Sequence, residues 1–253
     1  MYLTWFDNNS WLIEMGGQRI LLDPWLVGSL VFGHMPWLFN GNHTALRSIP
    51  EQIDLILLSQ GLEDHAHPPT LEQLDRTIPV VASLNAAKVV HKLGYSQITP
   101  LAHGESFTID RLKIQAVPGS PIGPFLTENG YFLTDLEQNT TLYYEPHGYH
   151  SSDLKTMAPV DVVITPVVDL RIPLLGAIIQ GNTTGLQAVE WLKPQAIVPT
   201  AAGGDVTFEG LLNTVLQAEG SVEEFRAKLT QHHLPTRLIA PKPGERFEVE
   251  LVH

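Results

Sequence analysis

The chain has 253 residues, 43% hydrophobic and 17% charged, a globular composition long enough to bury a substantial core. Its formal net charge of −12 argues against nucleic acid as a partner, because phosphate binding needs a basic footprint. Cysteine is absent, which excludes disulfides, thiolate metal ligands and a cysteine nucleophile, and fits a cytoplasmic location.

Met1 to Asp7 has neither a basic start nor a sustained apolar core, so no signal peptide is read there. No run approaches the ~18–20 apolar residues of a membrane span. Three short strands are predicted over 2–6, 11–15 and 19–23, the second and third joined by the hairpin signal Gly16-Gly17. Residues 25–39 are interrupted by glycine and proline and are expected to form a loop or lid. Its aromatics, Trp25, Phe32, Trp37 and Phe39, are expected to pack, the alternative being a homo-oligomer or membrane-surface contact.

The next strand, 54–59, ends abruptly in Gln60-Gly61-Leu62-Glu63-Asp64-His65-Ala66-His67, and Pro68-Pro69 then opens a helix over 69–76. A buried strand that delivers metal-capable side chains at its C-terminal end is where open sheets place chemistry. There follow a strand over 80–82, a helix over 85–93 closed by Gly94, and a hairpin of 107–109 with 112–117. After a loop over 118–124 come paired strands 131–134 and 141–144 and a buried strand 160–165. Helix 184–192, strand 196–198, helices 208–217 and 222–232, and a closing strand or two within 237–252 complete the pattern. Strands in hairpins alternate with helices in both halves, and no Pro/Ser/Gly linker divides them. The expectation is one domain, 1–253, of α/β (α+β) class: a four-layer αββα sandwich with two sheets face to face and helices outside.

Four segments carry a resemblance: Thr4 to Glu14, Arg19 to Trp25, Asp54 to His65, and Lys193 to Pro199. In this order they resemble the metallo-β-lactamase superfamily, in particular its ascorbate-lactonase-like and phospholipase-D-like branch. The resemblance implies the four-layer fold, a hydrolase and a metal site. It also exposes losses. Asp7-Asn8 stands where the branch commonly has Gly-His. The first two histidines of the family's Thr-His-x-His-x-Asp-His motif fall on Gln60 and Leu62, while Asp64 and His65 are retained. No histidine stands near Pro118-Gly119-Ser120 or Thr200-Ala201-Ala202, where the family has its downstream ligands, and Glu145-Pro146-His147 displaces the bridging aspartate. By the same resemblance Asp23 lies behind the metal site, orienting a ligand.

The metal-competent groups are Asp64, His65, His67, Glu145 and His147, with His150 as a further candidate; three or four of them could hold one divalent ion, zinc, manganese or iron. Asp64 or Glu145, whichever is not a ligand, is the expected general base for water attack on an ester, lactone or phosphodiester. The alternative is a relative that has lost its metal and binds a small molecule or protein partner, with Asp64 and His65 merely bonding backbone at a strand-to-helix turn. No Gly-x-Ser-x-Gly elbow nominates a serine, and Ser120 is a weak candidate. Gly203-Gly204-Asp205 is read as a turn, Gly181 to Thr184 as a helix start, His232-His233 as a helix end, and the apolar run 172–179 as packing rather than the lining of a substrate tunnel.

Overall fold

Short apolar runs, most of them four or five residues long, build two seven-stranded sheets in the computed structural model, which describes residues 1–122, 126–173, 176–201 and 203–252. The first sheet runs, in spatial order, Arg246–Glu248, Tyr2–Trp5, Trp11–Met15, Gln18–Leu22, Leu55–Leu58, Val80–Ser83 and Ile98–Leu101. The second runs Arg237–Leu238, Ala196–Pro199, Val162–Thr165, Thr141–Tyr144, Leu126–Asp135, Leu112–Ile122 and Ser106–Ile109. Leu3, Trp11, Ile20 and Leu57 of the first sheet meet Ile114, Tyr131, Leu142 and Ile164 of the second in one apolar core.

The outer face of each sheet is covered by helices. Pro68–Gln73 and Leu84–Lys92 bury Leu71, Ala86 and Val90 on the first sheet. Thr184–Leu192 and Val222–Gln231 bury Val189, Leu192, Phe225 and Leu229 on the second. The result is the expected αββα sandwich. Burial of Phe225 at 0% exposure shows why the last helix is anchored, since a side chain of that size stabilises by roughly 1.5–3 kcal/mol when removed from water.

Two three-stranded sheets stand outside the sandwich. One joins Leu30–Val31, Asn40–His43 and Val206–Glu209; the other joins Gly176–Ile179, Asp169–Ile172 and Gln217–Glu219. Here the sequence expectations need correction. The predicted helix over 208–217 is a strand, a short helix Leu211–Val215 and a second strand. Gly210 divides them at φ 99°, a left-handed conformation where an added Cβ would sit 2.7 Å from the carbonyl oxygen of Leu38. The predicted loop over 118–124 is strand as far as Ile122, with an irregular register between Pro118 and Pro121; its residues 123 and 124 lie outside the described residues, as do 174 and 175 of the apolar run and Ala202. Trp25 and Phe39 are packed, whereas Trp37 is 65% exposed. No helix of the described residues is long and apolar enough to cross a membrane.

Candidate metal centre

The turn after Leu55–Leu58 is fixed by Asp23, fully buried at the end of the neighbouring strand. Its carboxylate accepts four hydrogen bonds: from the Ser59 amide (2.8 Å), the Ser59 hydroxyl (2.5 Å), the Tyr144 hydroxyl (2.7 Å) and His65 Nδ1 (2.8 Å). That network aims the other imidazole nitrogen, Nε2, at Asp64 Oδ2, 3.1 Å away. Burial acts to pull the His65 pKa down, but the flanking carboxylates of Asp64 and Asp23 outweigh it and hold the ring well above its ordinary value. Burial likewise opposes ionisation of Asp64, yet His65 and His147 keep its carboxyl below the usual range.

His147 arrives from the other sheet, just past Thr141–Tyr144, and its ring centroid lies 5.1 Å from that of His65. Ligand atoms of Asp64, His65 and His147 all fall within 4.8 Å of one another. A second group on the same limit, Glu128, Glu145 and His147, shares the histidine. His147 Nδ1 is 2.8 Å from Glu128 Oε1, which also accepts the Ser120 amide at 3.1 Å. Glu145 Oε2 gathers the amides of His147 (3.2 Å), Gly148 and Tyr149 (2.9 Å). Only glycine fits at 148, where φ is 79° and a Cβ would overlap the Gln180 carbonyl at 1.4 Å. Both glutamates are completely buried. Burial and the Glu128 carboxylate push the Glu145 carboxyl well above its ordinary value. Burial works against ionisation of Glu128 too, but His147 overcomes it and keeps that carboxyl low.

Four oxygens in this region are buried without a partner among the described residues: Gln60 Oε1, Asp64 Oδ1, Glu128 Oε2 and Glu145 Oε1. A buried carboxylate oxygen left bare costs roughly 1–3 kcal/mol or more, so native structures rarely keep several together without a ligand. Oxygen and imidazole donors in this mixture suit zinc, manganese or iron. The donor set therefore fits a divalent cation.

Of the groups nominated from sequence, Asp64, His65, Glu145 and His147 converge. His67 does not. It is buried at the mouth of the helix Pro68–Gln73, its Nδ1 3.0 Å from the Thr70 hydroxyl and its Nε2 3.1 Å from the Ser29 carbonyl, and burial lowers its pKa to about 4. His150 also stands aside, bonded to the Tyr143 hydroxyl at 3.0 Å, with its pKa lowered to about 4 by burial. Sequence reasoning missed Glu128. The pairing Tyr131↔Tyr144, carried three residues further, brings Glu128 level with His147, and that register was the available signal. Thr200, where the resemblance places a last histidine, instead accepts the Trp11 indole N–H at 3.0 Å.

A cavity of about 570 Å³ opens onto this centre, lined by Asp64 and His147 and walled by both small sheets. Beside it the loop 203–205 is pinned by Arg47, which bonds Asp7 (3.0 and 3.2 Å) and Asp205 (2.6 Å).

The profile of the β-lactamase superfamily domain matches residues 2–201, four-fifths of the chain. This chain belongs to that superfamily. A metal-dependent hydrolase of Methanopyrus kandleri is 24% identical to this superfamily member over 259 residues, covering 98% of this chain and all of that protein. Among solved structures, a possible metal-dependent hydrolase from Veillonella parvula superposes with a TM-score of 0.75 at 14% identity, covering 98% of this chain and 99% of that one. An isothiocyanate hydrolase from Delia radicum gut bacteria gives a TM-score of 0.72 at 18% identity, with the same coverage. At these identities the structural likeness establishes the fold.

Proposed function

We propose that this chain is a metal-dependent hydrolase of an ester, lactone or phosphodiester bond, with one divalent cation held by Asp64, His65 and His147 and supported by Glu128 and Glu145. The observation that carries the reading is the set of bare, buried oxygens around His147 at the edge of an open cavity. A cation bound there would polarise the scissile oxygen and lower the pKa of water. The chain's own residues do the rest. Asp23 fixes the His65 ring through Nδ1, so that its Nε2 is the nitrogen offered to the centre. Glu128 and Glu145 form a buried carboxyl pair around His147, placed to take a proton from water and return it to a leaving group.

Relatives named metal-dependent hydrolases support this reading. A metal-free binder is the second reading, motivated by the Asp64–His65 ion pair, which already occupies the histidine's second nitrogen. Elemental analysis of protein purified without chelator separates them. A stoichiometric transition metal, lost in the His65→Ala/His147→Ala double variant, supports the hydrolase. Protein that takes up no metal after incubation with zinc, manganese or iron supports the binder.

A further inference from the structure

The cavity's lining bears on the kind of molecule the centre would act upon. Phe39, close to the edge of one small sheet, and Phe208 within it form one wall; Ile172 and Ile178 come from the other, and Leu212 of the short helix and Leu216 just past its end also line it. The polar lining is sparse: Asn8, Asn213, Asp64, Asp169 and His147. Among the described lining residues there is no lysine or arginine. Two arginines of flanking segments, Arg171 and Arg47, have carboxylate partners. Arg171, between Leu170 and Ile172 on its strand, lies 3.6 Å from Glu219 and is not among the residues lining the cavity. Arg47 is spent on Asp7 and Asp205.

Anionic groups are recognised by guanidinium or ammonium donors, which this wall lacks. A net charge of −12 adds a long-range penalty for an anionic ligand. We propose that the cavity receives an uncharged apolar arm, and that the substrate is a neutral ester or lactone with such an arm rather than a phosphodiester. This rests on the hydrolase reading above and narrows it. In the reaction the water oxygen bonds to the acyl carbon and the acyl C–O bond breaks. One water proton goes to the departing alkoxide, giving the alcohol, and the other is released as the acid ionises.

The test uses the metal-loaded protein and p-nitrophenyl esters from acetate to decanoate, with bis(p-nitrophenyl) phosphate for comparison. Burial of each methylene predicts a rise of about fourfold in kcat/KM until the walls are met, and slower turnover of the phosphate than of the octanoate. Ile178→Trp, which fills the cavity from its half-exposed wall, should flatten the rise and cut octanoate kcat/KM by about tenfold. Calorimetric binding of 2-undecanone, neutral and not hydrolysable, to wild type and variant gives a readout independent of turnover. Ketone binding that weakens in the variant supports the ligand class even if no ester is cleaved, an outcome that would reject the hydrolase reading alone. Ester hydrolysis independent of chain length, with no ketone binding, overturns the apolar-arm inference and leaves the hydrolase standing. Faster cleavage of the phosphate than of any ester overturns it as well.

Discussion

Two carboxylate clusters flank the same pair of histidines and are built on opposite principles. Around Asp23 every donor finds an acceptor: one carboxylate receives the Ser59 amide and hydroxyl, the Tyr144 hydroxyl and His65. Around His147, Glu128 and Glu145 each satisfy one oxygen and leave the other bare. A saturated network specifies a geometry, because every member is held by several others. An unsaturated one at equal depth is tolerable where something else supplies the missing charge. The contrast separates the frame of the site from its working face.

The sharpest break of that contrast is His65→Ala with His147→Ala, which removes one imidazole from each side. Metal content by elemental analysis should fall from stoichiometric to background, and hydrolysis with it. Next is Asp23→Ala, which strands His65 and the Ser59 and Tyr144 hydroxyls. We expect a loss of about 3–5 kcal/mol in unfolding free energy and, in protein that remains folded, a 10–100-fold weaker metal affinity. Chemical denaturation and metal titration check the two separately.

Asp7 offers a pH test away from the centre. Burial opposes its ionisation, but hydrogen bonds from His43, the Asp205 amide and Arg47 win, and its pKa is lowered. Its stabilisation is therefore complete above the unfolded value of about 3.9 and is lost as pH falls through the folded value. In an Asp7→Asn variant the stability difference from wild type should shrink on acidification below about pH 4, as read by thermal melts across pH.

The smallest effect is expected from Glu145→Gln in metal-free protein. Glutamine keeps the shape of a neutral Glu145, so below about pH 4, where a carboxyl with a raised pKa is uncharged, the change should stay within about 0.5 kcal/mol. A carboxyl whose folded pKa is raised loses stability from its unfolded value of about 4.3 up to the folded one, so the wild type should fall behind the glutamine variant as pH rises above about 4. The same variant should bind metal more weakly, which a direct titration resolves.

Much of the sandwich was legible because its strands are continuous apolar runs and its helices carry an amphipathic period: helix Thr184–Leu192 was read to the residue. The segment after Gly204 was not legible. Phe208, Leu212 and Leu216 repeat at helical spacing, but Val206–Glu209 is claimed by the distant strand Asn40–His43 and Gln217–Glu219 by Asp169–Ile172, pairings that local periodicity does not encode. At the centre, Asp64, His65, Glu145 and His147 were visible as metal-capable residues beside strand ends. Glu128 stayed hidden because its strand begins earlier than its apolar part, at Leu126. His67 was attractive by composition, yet the two prolines after it turn the chain into a helix and hand its ring to Thr70 and Ser29.

One stretch of backbone, 206–219, contributes an edge to each of the small sheets and the helix between them. The two walls over the centre are thus hemmed by a single thread. A single cut in that thread, at exposed Thr214 for instance, would therefore unlink the edge strands of both small sheets at once.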